Sequence, residues 1–120
     1  MHYHCEVYLP DYSRAGLEKQ VEAAMEPFRE TFTPDFEEKV GGFWDWWVIG
    51  GRWGHAGNVT PVKSAENKTC HTLIIDGIAY LTERWNGDCY MPTGFDGKAK
   101  AKLAELGITE GFLVTVDYHC

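Results

Sequence analysis

From His2 to Leu9 apolar and polar residues alternate one for one, with Tyr3, Cys5, Val7 and Leu9 on one face and His2, His4, Glu6 and Tyr8 on the other. That period of two predicts a half-buried strand, which Pro10 ends. The period then changes: Leu17, Val21, Ala24 and Phe28 recur at helical spacing while Glu18, Lys19, Gln20 and Glu22 face water, so a helix is predicted from about Arg14 to Met25, capped by Asp11 or Ser13 and broken at Pro27. Thr31 to Gly42 reads as a connecting loop, with a helical turn around Phe36 to Val40. Phe43 to Ile49 has strand composition, placing Phe43, Asp45, Trp47 and Ile49 on one side and Trp44, Trp46 and Val48 on the other, before Gly50-Gly51 bends it. His55 to Lys68 is polar and reads as a loop. Cys70 to Ile75 and Ile78 to Thr82, joined by Asp76-Gly77, predict a hairpin through a type I′ turn. Another loop follows, and a helix opens at Asp96 or Gly97, runs through Leu106 and stops at Gly107. Phe112 to Cys120 alternates again, with Phe112, Val114, Val116 and Tyr118 opposite Leu113, Thr115, Asp117 and His119. The order strand, helix, strand, hairpin, helix, strand predicts an α+β two-layer domain: an antiparallel or mixed sheet of about five strands with two helices on one face.

At 120 residues the chain is read as a single domain over 1–120, large enough to bury roughly two-thirds of its unfolded surface. The net charge of −7 argues against direct duplex DNA binding and favours a basic partner. No apolar run approaches the length of a membrane span, and the N-terminus lacks a basic segment followed by an apolar one, so a cytoplasmic protein is expected. Cys5, Cys70, Cys89 and Cys120 form no C-x-x-C pair and read as reduced thiols. No cofactor and no oligomeric state is legible.

Three groups of residues carry chemistry. Four of the five tryptophans, two adjacent glycines, an arginine and an acid fall between Phe43 and His55. Trp47 or Trp53 would stack on a base or sugar, Arg52 would take a phosphate or carboxylate, Gly50-Gly51 would bring backbone N–H groups close, and Asp45 would orient Arg52 or bind a hydroxyl. The same residues are also the parts of a packed core in which Arg52 pairs internally with Asp45. The second group is the polar face of the terminal strands. If those strands pair, His2, His4 and Glu6 meet Asp117 and His119, which makes either an acid–base cluster, a weak metal candidate at His2, His4 and His119, or a solvated sheet face. The third is Cys89, a loop thiol with no neighbouring base in sequence to activate it.

The stretch Asp45-Trp46-Trp47-Val48-Ile49-Gly50-Gly51-Arg52-Trp53 and the ending Leu113-Val114-Thr115-Val116-Asp117-Tyr118-His119 resemble a group of short proteins of tailed bacteriophages and prophages. That group shares a D-W-[WY]-x-I-G-G-R-W motif and a C-terminal D-x-H strand. Softer similarity covers Leu17 to Phe28 and the hairpin at Thr72 to Glu83. The resemblance implies a phage-type accessory protein, working in the host cytosol, whose residues Asp45, Trp47, Gly50, Gly51, Arg52, Trp53, Asp117 and His119 meet in one place. Arg84-Trp85-Asn86-Gly87-Asp88 is a reduced version of a glycine- and tryptophan-rich segment of the group.

Three functions remain open. The first is a non-enzymatic binder of a nucleotide-like or other anionic ligand, counteracting host defence. The second is a small hydrolase or nuclease with His119 as base, Asp117 orienting it and Arg52 stabilising a phosphoryl transition state. The third is an acidic inhibitor that presents Asp35, Glu37 and Glu38 to a nucleic-acid-binding host complex.

Overall fold

The computed structural model describes residues 2–29, 31–32, 39–40, 42–56, 58–65, 69–85, 87–88, 90–94 and 98–119. Asp35, Glu37, Glu38, Cys89 and Cys120 lie outside the described residues. In chain order the elements are β1 (His2–Leu9), α1 (Leu17–Met25), β2 (Thr31–Phe32), β3 (Lys39–Val40), β4 (Trp46–Ile49), a 3₁₀ turn (Gly51–Ala56), β5 (Val59–Pro61), β6 (Thr69–Cys70), β7 (Thr72–Ile75), β8 (Ile78–Leu81), β9 (Glu83–Trp85), β10 (Tyr90–Gly94), α2 (Lys98–Glu105) and β11 (Phe112–His119). The main sheet runs β4-β11-β1-β7-β8, and β5 also pairs with β11. β1 is antiparallel to β11 and parallel to β7, so the sheet is mixed and the fold is α+β.

One face is the main apolar core. Cys5, Val7 and Leu9 of β1, Ile74 of β7, and Val114, Val116 and Tyr118 of β11 pack there with Val21 and Met25 of α1. Trp44 is buried among them, and its Nε1–H donates to the Met25 carbonyl at 2.7 Å. That bond satisfies one of the carbonyls that α1 leaves without an intrahelical partner at its C-terminus. The expectation that α1 and α2 share this face is corrected by the packing: Ala99 and Leu103 of α2 lie with Leu73, Ile75 and Leu113 on the opposite face. The reason is visible in the strands. Leu73, Ile74 and Ile75, like Leu113 and Val114, are consecutive apolar residues, and a strand apolar on both sides needs cover on both.

β5 arises where a loop is predicted. Val59 and Thr60 pair with Val114 and Leu113, in line with β4, whose Ile49 and Val48 pair with Val116 and Asp117. β4 and β5 therefore act as one interrupted strand along β11. The Thr115 carbonyl accepts from Gly50 N–H at 2.8 Å, and the Thr115 N–H donates to the Asn58 carbonyl at 2.8 Å. Between those two bonds the chain leaves the sheet edge as the 3₁₀ turn that carries Arg52 and Trp53.

Candidate functional site

The register of β1 with β11 sets His2 opposite His119, His4 opposite Asp117 and Glu6 opposite Thr115. Alternation then gathers all six on the face away from α1, as the pairing of the terminal strands predicts. The cluster is not a solvated surface: Glu6, Thr115, Asp117 and His4 are all buried. Glu6 Oε2 accepts from His4 Nε2 and from Thr115 Oγ1 at 2.7 Å. Its partners thus place the His4 proton on Nε2. His4 Nδ1 is buried with no hydrogen-bond partner among the described residues. The His4 backbone N–H donates to His71 Nδ1 at 3.0 Å, which brings a fourth histidine into the network.

The 3₁₀ turn folds down onto this face. The Trp53 indole stacks on the His4 ring with centroids 5.2 Å apart and planes within 15°. Arg52 N–H donates to Asp117 Oδ2 at 3.1 Å, while His2 Nδ1 donates to Asp117 Oδ1 at 2.7 Å. One buried carboxylate is therefore held from both sides. At the strand ends His119 Nδ1 donates to Asp45 Oδ1 at 2.8 Å, and both side chains are more than two-fifths exposed. The His2 ring meets Trp46 and His119 edge-on, at 5.7 and 5.6 Å.

The two glycines serve packing. A Cβ on Gly50 would sit 2.4 Å from Asn58 Oδ1, and one on Gly51 would sit 2.4 Å from Asp117 Oδ2, at φ values of +82° and +56°. The Gly50 N–H is already committed to Thr115. The expectation that this amide meets a ligand is thereby replaced by close approach of backbone to neighbouring side chains. Trp47 is also reassigned. It pairs with Tyr118 across the ladder and packs into the α1 core, edge-on to Trp44. The half-exposed indole is its neighbour Trp46, because the alternation of β4 turns residue 46 to the face of His2 and His119. Asp45, Arg52, Trp53, Asp117 and His119 do meet in one region. Comparison of the chain with protein-family models, with curated proteins and with solved structures finds no match.

Arg52 is exposed, and among the described residues no carboxylate holds its guanidinium. The internal Arg52–Asp45 pair is absent because Asp45 is taken by His119 and Asp117 by His2 and the Arg52 amide. The same bonds separate Asp117 from His119, so Asp117 does not orient that imidazole; Asp45 does. Among the described residues no group of three His, Cys, Asp or Glu is placed to hold a metal ion. Cys5 and Cys70 are both buried. Burial above all, with Cys70 and Glu6 alongside, pushes the Cys5 thiol well above its ordinary pKa, so it stays an inert thiol. His71 and Asn58, both integral to the region, carry no signal in the sequence. One sits at the bend between β6 and β7 and the other just before β5. A groove of about 620 Å³ lies at the far end of β1 around Tyr8, Leu9 and Tyr80, away from these residues.

Proposed function

We propose that this chain is a phage-type accessory protein that binds, without turning it over, an anionic ligand of nucleotide-like chemistry at the surface formed by Arg52, Trp46, His2 and His119, and so counteracts a host defence. The observation that carries the reading is the state of the cation. Arg52 is an exposed guanidinium, and the two acids of this region, Asp45 and Asp117, are both engaged by histidines. Its planar fork suits bidentate recognition of a phosphate or carboxylate. An exposed indole and two imidazole edges beside its backbone supply stacking surface. The resemblance of the motif and of the terminal D-x-H strand to phage proteins supports the biological setting. No helix among the described residues is long and apolar enough to cross a membrane.

Arg52→Ala is expected to weaken binding of the recognised member of a panel of linear and cyclic nucleotides by roughly 2–4 kcal/mol, the scale of a lost charge-assisted bidentate contact. Titration calorimetry reads the affinity and urea denaturation the fold, which should be unchanged because the side chain has no partner among the described residues to lose. Unfolding of the variant, or undiminished binding, would remove Arg52 from the site.

A second reading, a small hydrolase, is favoured by one feature: the His119–Asp45 pair is an accessible imidazole held by a carboxylate, the arrangement of a general base and its orienting group. In that case His119→Ala abolishes turnover of RNA or of a nucleotide from the same panel. Recovery of intact ligand from the wild-type protein supports the binder instead.

A further inference from the structure

We propose that β8, an edge of the main sheet unpaired among the described residues, is a homodimer interface at which two copies pair their β8 strands antiparallel about a two-fold axis. β8 ends the strand order of the sheet. Its residues Ile78, Ala79, Tyr80 and Leu81 include no charge, although soluble proteins ordinarily guard such an edge with lysine, proline or a bulge. Ile78 is 54% and Leu81 70% exposed, the two highest values among the large apolar residues described.

The backbone fixes which groups are available. β7 and β8 meet through the two-residue turn Asp76-Gly77 with Ile75 opposite Ile78, and Thr82 N–H donates to the His71 carbonyl at 2.9 Å. Positions 78, 80 and 82 thus turn their N–H and C=O groups toward β7 and its continuation, which leaves those of Ala79 and Leu81 pointing outward. One register satisfies both outward residues. With Tyr80 of each copy facing Tyr80 of the other on the axis, Ala79 of each copy exchanges hydrogen bonds with Leu81 of the other.

The side chains agree with that register. Leu81 of one copy covers the small Ala79 of the other, and Tyr80 meets Tyr80 in the closer, non-hydrogen-bonded kind of pair, where aromatic pairs add stability. Lys102 Nζ already lies 4.8 Å from the centre of the Tyr80 ring, which braces that side chain from α2. A slip of two residues toward the turn sets Leu81 against Gly77 and loses the fit. The interface is isologous and closed, so it yields a dimer and not a fibre.

Sedimentation velocity over a rising protein concentration tests this, with Leu81→Lys and Leu81→Pro as variants. The first sets a charge on the seam, and the second removes an outward N–H at an edge position where proline is tolerated. The wild-type chain should pass from monomer to dimer, and both variants should stay monomeric, with the urea unfolding curve of the wild-type chain at concentrations where it is a monomer. A wild-type protein monomeric at every concentration overturns the proposal, as does a dimer that survives both substitutions, since its contact then lies elsewhere.

Discussion

Glu6→Ala is expected to lower the free energy of unfolding by about 3–5 kcal/mol, the loss seen when one member of a buried polar pair is removed. Glu6 has no exposed surface, and its carboxylate receives both His4 Nε2 and Thr115 Oγ1. Alanine removes the carboxylate that both donors share and leaves a void in its place. Glu6→Gln keeps the volume and an acceptor oxygen, so its loss should be smaller, about 1–3 kcal/mol. Asp45→Ala is the matched surface control. It removes a carboxylate from a histidine in the same region, but at a site where each side chain is over two-fifths exposed, so its effect should fall within about 1 kcal/mol. Urea unfolding of the three variants, at unchanged m-value, measures the series. If Glu6→Ala were no more destabilising than Asp45→Ala, the buried network would not hold the terminal strands together.

Gly51→Ala is expected to destabilise the protein by about 2–4 kcal/mol, combining strain at a left-handed backbone position with overpacking. It should also disorganise the candidate site. The added methyl would lie 2.4 Å from both Cβ and Oδ2 of Asp117, and Asp117 has little freedom to move. Its backbone is paired with β1 on one side and β4 on the other, and its carboxylate is fixed by His2 and the Arg52 amide. The 3₁₀ turn is the part that must shift, taking Arg52 and Trp53 with it. Gly77→Ala isolates the backbone contribution, because Gly77 has φ +79° and nothing within 4 Å of an added methyl, so about 1–2 kcal/mol is expected there. In ¹H–¹⁵N spectra the Arg52 amide should move strongly in Gly51→Ala and stay put in Gly77→Ala. Equal destabilisation by the two substitutions would show that contact with Asp117 is immaterial.

Both results depend on features of unequal visibility in the chain. The alternation of His2–Leu9 and Phe112–His119 is legible residue by residue, because a strand with one wet or polar face must repeat every two residues. The hairpin at Asp76-Gly77 and the stop of α2 at Gly107 are legible because only a few residue types adopt positive φ cheaply. Glycine occupies φ +70° at 107, where the Gly107 N–H reaches the Ala104 carbonyl at 3.0 Å. The same alternation places Trp46 and Trp47 on opposite sides of β4. It does not say which side is the core, since both residues are tryptophan and either can be buried.

The local pattern of this chain therefore settled β1, β11, the β7–β8 hairpin, the two helices and the polar face of the terminal strands, since those follow from backbone geometry within a few residues. Everything that needs two distant segments was settled by assembly. That includes the parallel partnership of β1 with β7, the covering of the second face by α2, the return of the chain as β5, and the arrival of His71 beside His4. It also includes the division of the acids, with His2 and the Arg52 amide taking Asp117 and His119 taking Asp45. A carboxylate pairs with whichever donor the packed sheet brings within hydrogen-bonding distance, and that distance is set by the pairing of segments 65 to 115 residues apart in sequence.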